Sequence, residues 1–168
     1  MDEGTPAICE NSDLVIGFVD AGDPEWLAAR AGEPVGVADV AAAEELRSRL
    51  VILLREHSHC VDDARDVDDA RAYLRRIAAR YPLVPVLTAA GCELVPAQTG
   101  VPGLFGQLLA AVADLSYRGA WPRVKICKNK GCHRGFFDKT RNTSGLYCGP
   151  ACSSQAAMRA YRSRRKAA

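Results

Sequence analysis

Four cysteines in the last third of the chain restrict its fold more than any other feature. Cys127 and Cys132, then Cys148 and Cys152, form two close pairs with fifteen residues between them. Two short-spaced pairs at that separation suit one tetrahedral Zn²⁺ ion. Each pair sits on a tight local structure that aims both sulfurs at one point, and the segment between them folds back so that the pairs meet. Of the seven cysteines, Cys9, Cys60 and Cys92 remain, scattered and odd in number, which argues against a disulfide framework. They read as small buried or half-buried side chains. No run of 18 apolar residues provides a membrane span. The acidic start, MDEGTPAICENSD, does not read as a signal peptide. The expected compartment is the cytoplasm, where thiols stay reduced and clustered cysteines favour metal.

The formal net charge of +2 conceals a division along the chain. Residues 1–117 carry 9 Lys/Arg and 19 Asp/Glu, whereas residues 118–168 carry 13 Lys/Arg and one acid, Asp138. The basic part is drawn to phosphate and the acidic part is repelled by it, so the two regions are expected to have different partners.

The pattern along the chain predicts a mainly α fold with a minor α+β character. Residues 1–12 read as a disordered N-terminus, and Leu14–Val19 as a short apolar run of ambiguous type. Over residues 13–118 a helical domain is expected. Asp23-Pro24-Glu25 opens a short helix that presents Trp26 and Leu27 and stops at Gly32 and Pro34. A long helix follows over about 37–56, with Asp39 as its cap and Val40, Ala43, Leu46, Leu50, Leu53 and Leu54 at helical spacing. Another covers about 67–80, with Ala72, Leu74 and Ile77 inward. LVPVLT and CELVP around Ala89-Ala90-Gly91 read as a β-hairpin whose prolines place it at an edge. A last helix runs over about 102–117, with Leu104, Leu108, Leu109, Val112 and Leu115 as its buried stripe. Residues 119–125 read as a linker to a zinc module over 126–168. The first part is long enough to bury a core; the module is short enough to need its metal to fold.

Within the module, Cys127-Lys128-Asn129-Lys130-Gly131-Cys132 reads as a knuckle and Gly135-Phe136-Phe137-Asp138 as a strand whose rings shield the metal. Arg141–Gly145 is the return turn. Gly149-Pro150 starts a helix with Cys152 in its first turn, where the dipole favours a thiolate. Knuckle, hairpin and helix together give a small treble-clef-like module ending in a basic helix. His133, next to Cys132, is an alternative ligand, but adjacent ligands rarely fit one tetrahedron. Four thiolates saturate one Zn²⁺, so the site reads as structural. Met158 and Tyr161 are expected to anchor the final helix. Arg159, Arg162, Arg164, Arg165 and Lys166 cover much of its surface, and Lys128, Lys130, Arg134, Lys139 and Arg141 add to the same positive face.

These residues resemble the CGNR-type zinc-finger proteins of bacteria. The likeness rests on Cys127 and Cys132, Phe136-Phe137-Asp138, Thr140-Arg141-Asn142, Tyr147-Cys148, Cys152 and the basic tail. The N-terminal part, with its LVPVLTAAGCELVP hairpin, is similar to the ABATE domain that accompanies such fingers. The resemblance implies a transcription regulator. The motif Cys-Gly-Asn-Arg stands here as Cys152-Ser153-Ser154-Gln155, so the ligand survives and the three residues after it differ.

Three functions compete. The first is a zinc-dependent DNA-binding regulator, with Gln155 and Arg159 at base edges, Arg162, Arg165 and Lys166 on phosphate, and the N-terminal domain as sensor or partner-binding domain. A homodimer would suit paired half-sites. The second is a protein–protein adaptor that docks on RNA polymerase or another regulator. The third is an enzyme built on His57, His59 and Cys60, which read more simply as the end of a long helix. No phosphate-cradling glycine loop, nucleophile elbow or paired zinc-protease histidines occur. The expectation is no enzyme, one structural Zn²⁺ and double-stranded DNA as partner.

Overall fold

In a computed structural model the protein is described over residues 4–61, 63–89 and 91–166. It is mainly helical, with two small antiparallel sheets. Helix α1 spans Gly4–Ala21. The expected disorder is therefore corrected for residues 4–12, and residues 1–3 lie outside the described set. Val15, Phe18 and Val19 are buried, with Ile8, Leu14 and Ile16 packed beside them. That stripe gives the acidic segment a face to bury. Asn11 adds a hydrogen bond to Asp114 Oδ2 at 2.9 Å.

Helix α2, Pro24–Ala31, forms as its caps dictate. Asp23 accepts from the Trp26 amide at 2.8 Å, and Gly32 closes the helix at φ 72°. Helix α3, Val37–His57, buries Ala43, Leu46, Leu50, Leu53 and Leu54. Gly36, not Asp39, is its N-cap, and Asp39 accepts the Gly36 amide at 3.0 Å from one turn inside. Helix α4, Ala64–Ala78, is capped by Asp63 and starts earlier than expected. It buries Val67, Ala70, Tyr73 and Ile77; Ala72 is exposed, so Tyr73 takes the inward place expected for Ala72.

Strands β1, Leu83–Thr88, and β2, Gly91–Pro96, form the expected hairpin. The Ala97 amide donates to Pro82 O at 3.0 Å, which puts the nitrogens of Pro85 and Pro96 on the outer edges and blunts both. Pro96 lies against helix α5, Gly100–Tyr117; a Cβ on Gly106 would come within 2.9 Å of its ring. Helix α5 is the centre of the core, with Val101, Leu104, Phe105, Leu108, Ala111 and Leu115 buried. Its Thr99 N-cap makes no side-chain bond; Glu33, after α2, instead accepts the Val101 amide at 3.0 Å. Phe18 meets Trp26 and Phe105 across this core.

The expected linker over 119–125 is corrected. Ala120 is buried, Trp121–Arg123 form one 3-10 turn, and strand β3 spans Val124–Ile126. All three residues of β3 are buried, and it pairs with β4, Gly135–Phe137. The end of α3 holds β3 in place. His57 Nδ1 donates to Val124 O at 2.8 Å, and the Ser58 hydroxyl donates to Ile126 O at 2.7 Å. The His57 ring stands edge-on against Trp121. His57 and Ser58 thus join the two halves of the molecule. Helix α6, Pro150–Lys166, buries no side chain. Among the described residues no helix is long and apolar enough to cross a membrane.

Burial holds the His57 imidazole below its ordinary value near 6.5, against the opposing pull of its bond to Val124 O. The unfolded chain therefore takes up this proton first. The stability that neutral His57 contributes is complete above about pH 6.5 and declines as the pH falls through the lower native value. Urea unfolding of the protein and of His57→Ala should show a stability gap at pH 7.5 that narrows by pH 5.5. A gap that stays constant would mean that the ring is not held neutral.

Candidate metal centre

Strand β3 ends one residue before the first sulfur. The Cys127 amide donates to Arg134 O at 2.8 Å, which closes the β3–β4 hairpin around the knuckle. Inside the knuckle the Cys132 amide donates to Asn129 O at 2.8 Å, and His133 leaves it at φ 55°. The Lys128 amide donates to Leu146 O at 2.8 Å and draws the returning segment alongside. The Cys148 amide then points at Cys127 Sγ, 3.5 Å away. Cys152 follows in the first turn of α6.

The four sulfurs lie within 4.8 Å of one another. Cys148 Sγ is 3.6 Å from that of Cys132 and 3.7 Å from that of Cys152. A tetrahedron of thiolates at 2.3 Å from zinc has edges of about 3.8 Å. The residues fit one zinc ion, and a four-sulfur set leaves no coordination position for a substrate or water. His133 is outside this cluster; it lines a cleft against α3 with Arg47, Val51 and Arg55. Four sulfurs this close resist joint ionisation. Burial, then the neighbouring sulfurs, push the Cys148 thiol up to about 12, while hydrogen bonding with Asn129 brings Cys152 down to about 7. A divalent cation resolves that conflict by pairing with the thiolates.

Behind the cluster lies a buried ion pair that sequence reading missed. Lys125 and Asp138 are 2% and 1% exposed in their side chains, and Nζ meets Oδ2 at 2.8 Å. The ammonium also donates to Thr143 O and Gly145 O. The carboxylate accepts from the amide and hydroxyl of Thr140 and from the Gly145 amide. A Cβ on Gly145 would stand 2.6 Å from Asp138 Oδ1, so glycine is required there. Burial alone would raise the Asp138 carboxyl. Its hydrogen bonds from Lys125, Thr140 and Gly145 outweigh that and hold it far below the usual carboxylate range. Arg123 donates to the carbonyls of Asp138 and Thr140 and fixes the outer side of the same loop.

The phenylalanines were expected to shield the metal. Phe137 packs instead on the main core, and Gly135 approaches Ile16 and Val19 of α1. The Gly135 amide donates to Asp20 Oδ1 at 2.7 Å. The expected anchors of α6 are corrected too: Met158 and Tyr161 are 53% and 51% exposed. The contact between α6 and the knuckle is polar. Asn129, 3% exposed, donates to Gln155 Oε1 at 3.0 Å and accepts from Arg159 Nη2. Lys128, Lys130, Arg134, Lys139, Arg141, Arg162, Arg164, Arg165 and Lys166 are exposed. Of these only Arg134 approaches a carboxylate among the described residues, Asp20 at 4.0 Å. Of His57, His59 and Cys60, His57 binds Val124 O of β3, the Cys60 thiol donates to Ser58 O, and His59 leaves the helix at φ 53°; among the described residues they form no metal-ligand cluster.

Residues 123–165 match the family model of the CGNR zinc finger. No curated protein matches the chain. The matched stretch begins at Arg123 and holds all four cysteines, the Lys125–Asp138 pair and nearly all of α6.

Removing one partner of a buried ion pair leaves the other charge uncompensated, at a cost of about 3–5 kcal/mol. Asp138→Ala should therefore lower stability by that order in denaturant unfolding and loosen zinc, read by competition with a chromophoric chelator. Lys125→Met with Asp138→Leu together should recover much of the loss. Cys148→Ser should leave three sulfurs and weaken zinc by more than about 100-fold in the same competition, beyond the usual effect of changing a residue behind a ligand.

Proposed function

We infer that this protein is a zinc-dependent DNA-binding transcription regulator without catalytic activity. In this reading, residues 123–166 contact duplex DNA and the helices before them form a sensor or partner-binding domain. One observation carries it: α6 starts on a four-cysteine cluster, buries none of its side chains, and bears five Arg and Lys residues that form no ion pair among the described residues. A helix that meets its own protein through a few polar contacts and leaves its charge unpaired is suited to a polyanion. The width of the DNA major groove admits an α-helix. The metal's part is to hold four sulfurs and so fix where the helix begins. The acidic helices, 19 Asp/Glu over residues 1–117, would be held off the phosphates and left to face a ligand or another protein. The likeness of those helices and their hairpin to an ABATE domain supports the same division. DNA with paired half-sites would call for a homodimer, and the setting would be the cytoplasm.

A second reading rests on the hairpin. Val84, Val86, Leu87, Leu94 and Val95 are all substantially exposed, Leu87 to 85%. An adaptor that docks on RNA polymerase or another regulator would use such a surface, with the basic module as a secondary contact. It predicts direct binding to a purified polymerase or regulator without DNA, lost in Leu87→Asp.

The test of the first reading is anisotropy of labelled random and promoter-derived duplexes with the zinc-loaded protein. Five to eight phosphate contacts give a slope of log K against log salt of about −4.5 to −7. Affinity should fall by at least two orders of magnitude between 50 and 200 mM salt and vanish in chelator. Failure of the zinc-loaded protein to bind any duplex at low salt would overturn it.

A further inference from the structure

The knuckle and α6 meet through one buried side chain, and that contact divides the helix into two faces. Gln155 and Arg159 lie one turn apart and both reach back to Asn129. Cys152 shares their side, and Ala156 is half-covered beside them. This side of α6 belongs to the metal module. The residues at i, i+4, i+7, i+8 and i+11 from Ser154 form the neighbouring outward stripe, with Met158, Tyr161 and Arg165 along its middle and Arg162 at its border, seven residues on from Gln155. Half of Met158 and half of Tyr161 remain exposed, and the Arg165 guanidinium sits over the Tyr161 ring at 6.0 Å.

We propose that the surface α6 presents to duplex DNA is this outward stripe, Ser154, Met158, Tyr161, Arg162 and Arg165, and that Asn129 is the positioning residue that fixes its presentation by holding Gln155 and Arg159. The inference rests on the DNA-binding reading and assigns its residues. It removes Gln155 and Arg159 from base contact, the role their place one turn apart had given them. Asn129 uses its amide nitrogen on Gln155 and its amide oxygen on Arg159, so neither side chain is free to leave without exposing a buried partner. The stripe has the chemistry of a groove reader. Met158 and the Tyr161 ring offer apolar contact to thymine methyls, and the hydroxyl and guanidinium groups offer hydrogen bonds to base edges and phosphates. Arg165 lies over the Tyr161 ring, a cation–π contact within the same stripe. Over its 17 residues the helix is about 26 Å long, enough to carry all five groups along one groove.

The assignment separates charge that touches DNA from charge that holds the helix. Full-length zinc-loaded protein is titrated against a random-sequence duplex over a salt series. Arg162→Gln and Arg165→Gln should each reduce the salt slope by about 0.9, the signature of one lost phosphate contact. Arg159→Gln should weaken binding with less than half that change in slope. Combined with Asn129→Ala it should be no weaker than Asn129→Ala alone, because both remove one shared interaction. At saturating zinc, Asn129→Ala should speed amide exchange in the first three turns of α6, while loss of its hydrogen bond to Cys152 should loosen zinc by no more than about 10- to 100-fold, the usual effect of changing a residue behind a ligand. Should Asn129→Ala fail to hold zinc, Gln155→Ala, at an exposed position, should give the same faster exchange in smaller degree. Met158→Ala with Tyr161→Ala should weaken binding about tenfold without changing the slope. The assignment is overturned if Arg159→Gln lowers the slope as much as Arg162→Gln, if exchange in α6 is unchanged in both amide variants, or if single-stranded RNA is bound more tightly than the duplex. A wild-type protein that binds no duplex fails the DNA reading itself, a result separate from any of these variants.

Discussion

Strand β3 is three residues long, and both halves of the molecule depend on it. A strand alternates its side chains, so Val124 and Ile126 face one way and Lys125 the other. Val124 and Ile126 enter the helical core, where His57 and Ser58 grip their carbonyls. Lys125 enters the zinc module, where Asp138 receives it. Cys127 follows at once. The first metal-binding sulfur is thereby placed relative to α3 by a backbone that has no room to slip: a shift of one residue would put an ammonium into the apolar core and a valine into a carboxylate.

That arrangement explains how two regions of opposite charge share one fold without neutralising each other. The acidic excess lies mainly on α1, with Glu10, Asp13 and Asp20, and on segments between the elements, such as Asp23, Glu33 and Asp63, while the basic excess lies on the knuckle, the return loop and α6. Contact between the halves is made by β3, by β4 against α1 and by single bonds such as Asp20 to the Gly135 amide. Among the described residues Arg134 alone carries a long-range ion pair across the divide, and at 4.0 Å it is loose and exposed. Surface pairs of that kind contribute little. The positive surface therefore stays available, and the join is specified by backbone hydrogen bonds and burial.

Much of this was legible in the sequence, and the failures have specific causes. The cysteine spacing gave the metal cluster because tetrahedral sulfur geometry tolerates few arrangements. Helices α3 and α5 were legible from apolar residues at helical spacing, and α2 from Asp23-Pro24 and Gly32. Helix α1 is not legible over residues 4–12 because that stretch brings only Ile8 to the core, while the stripe that holds the helix, Val15, Phe18 and Val19, follows it and finds its partners in α5 some ninety residues away. The linker was misread because Ala120, Val124 and Ile126 look like isolated apolar residues until α3 is there to cover them. Lys125 and Asp138, thirteen positions apart, carry no local signal that each is the other's partner. Asn129 looks like a turn residue, and only the approach of α6 shows its side chain to be occupied. Met158 and Tyr161 were placed inward on the habit of burying large side chains, which fails where a helix packs through polar contacts.

The same contrast bears on how the module holds its shape. Among the described residues, the buried hydrophobic ones after Ala120 are only Val124, Ile126 and Cys127, and the first two serve the helical core. Of the five buried polar or charged residues among those described, three, Lys125, Asn129 and Asp138, belong to the module. It is therefore framed by sulfurs, one ion pair and one amide in place of an apolar centre. A frame of that kind is exacting, because each buried donor needs its own acceptor and a half-satisfied network is worse than none. Closing it depends on the four sulfurs coming together, which four mutually repelling thiolates do not do unaided. Helix α6 buries nothing and so takes its direction from this frame through Cys152 and Asn129. The metal governs the basic surface from outside it, by deciding whether the helix that carries that surface has a fixed origin.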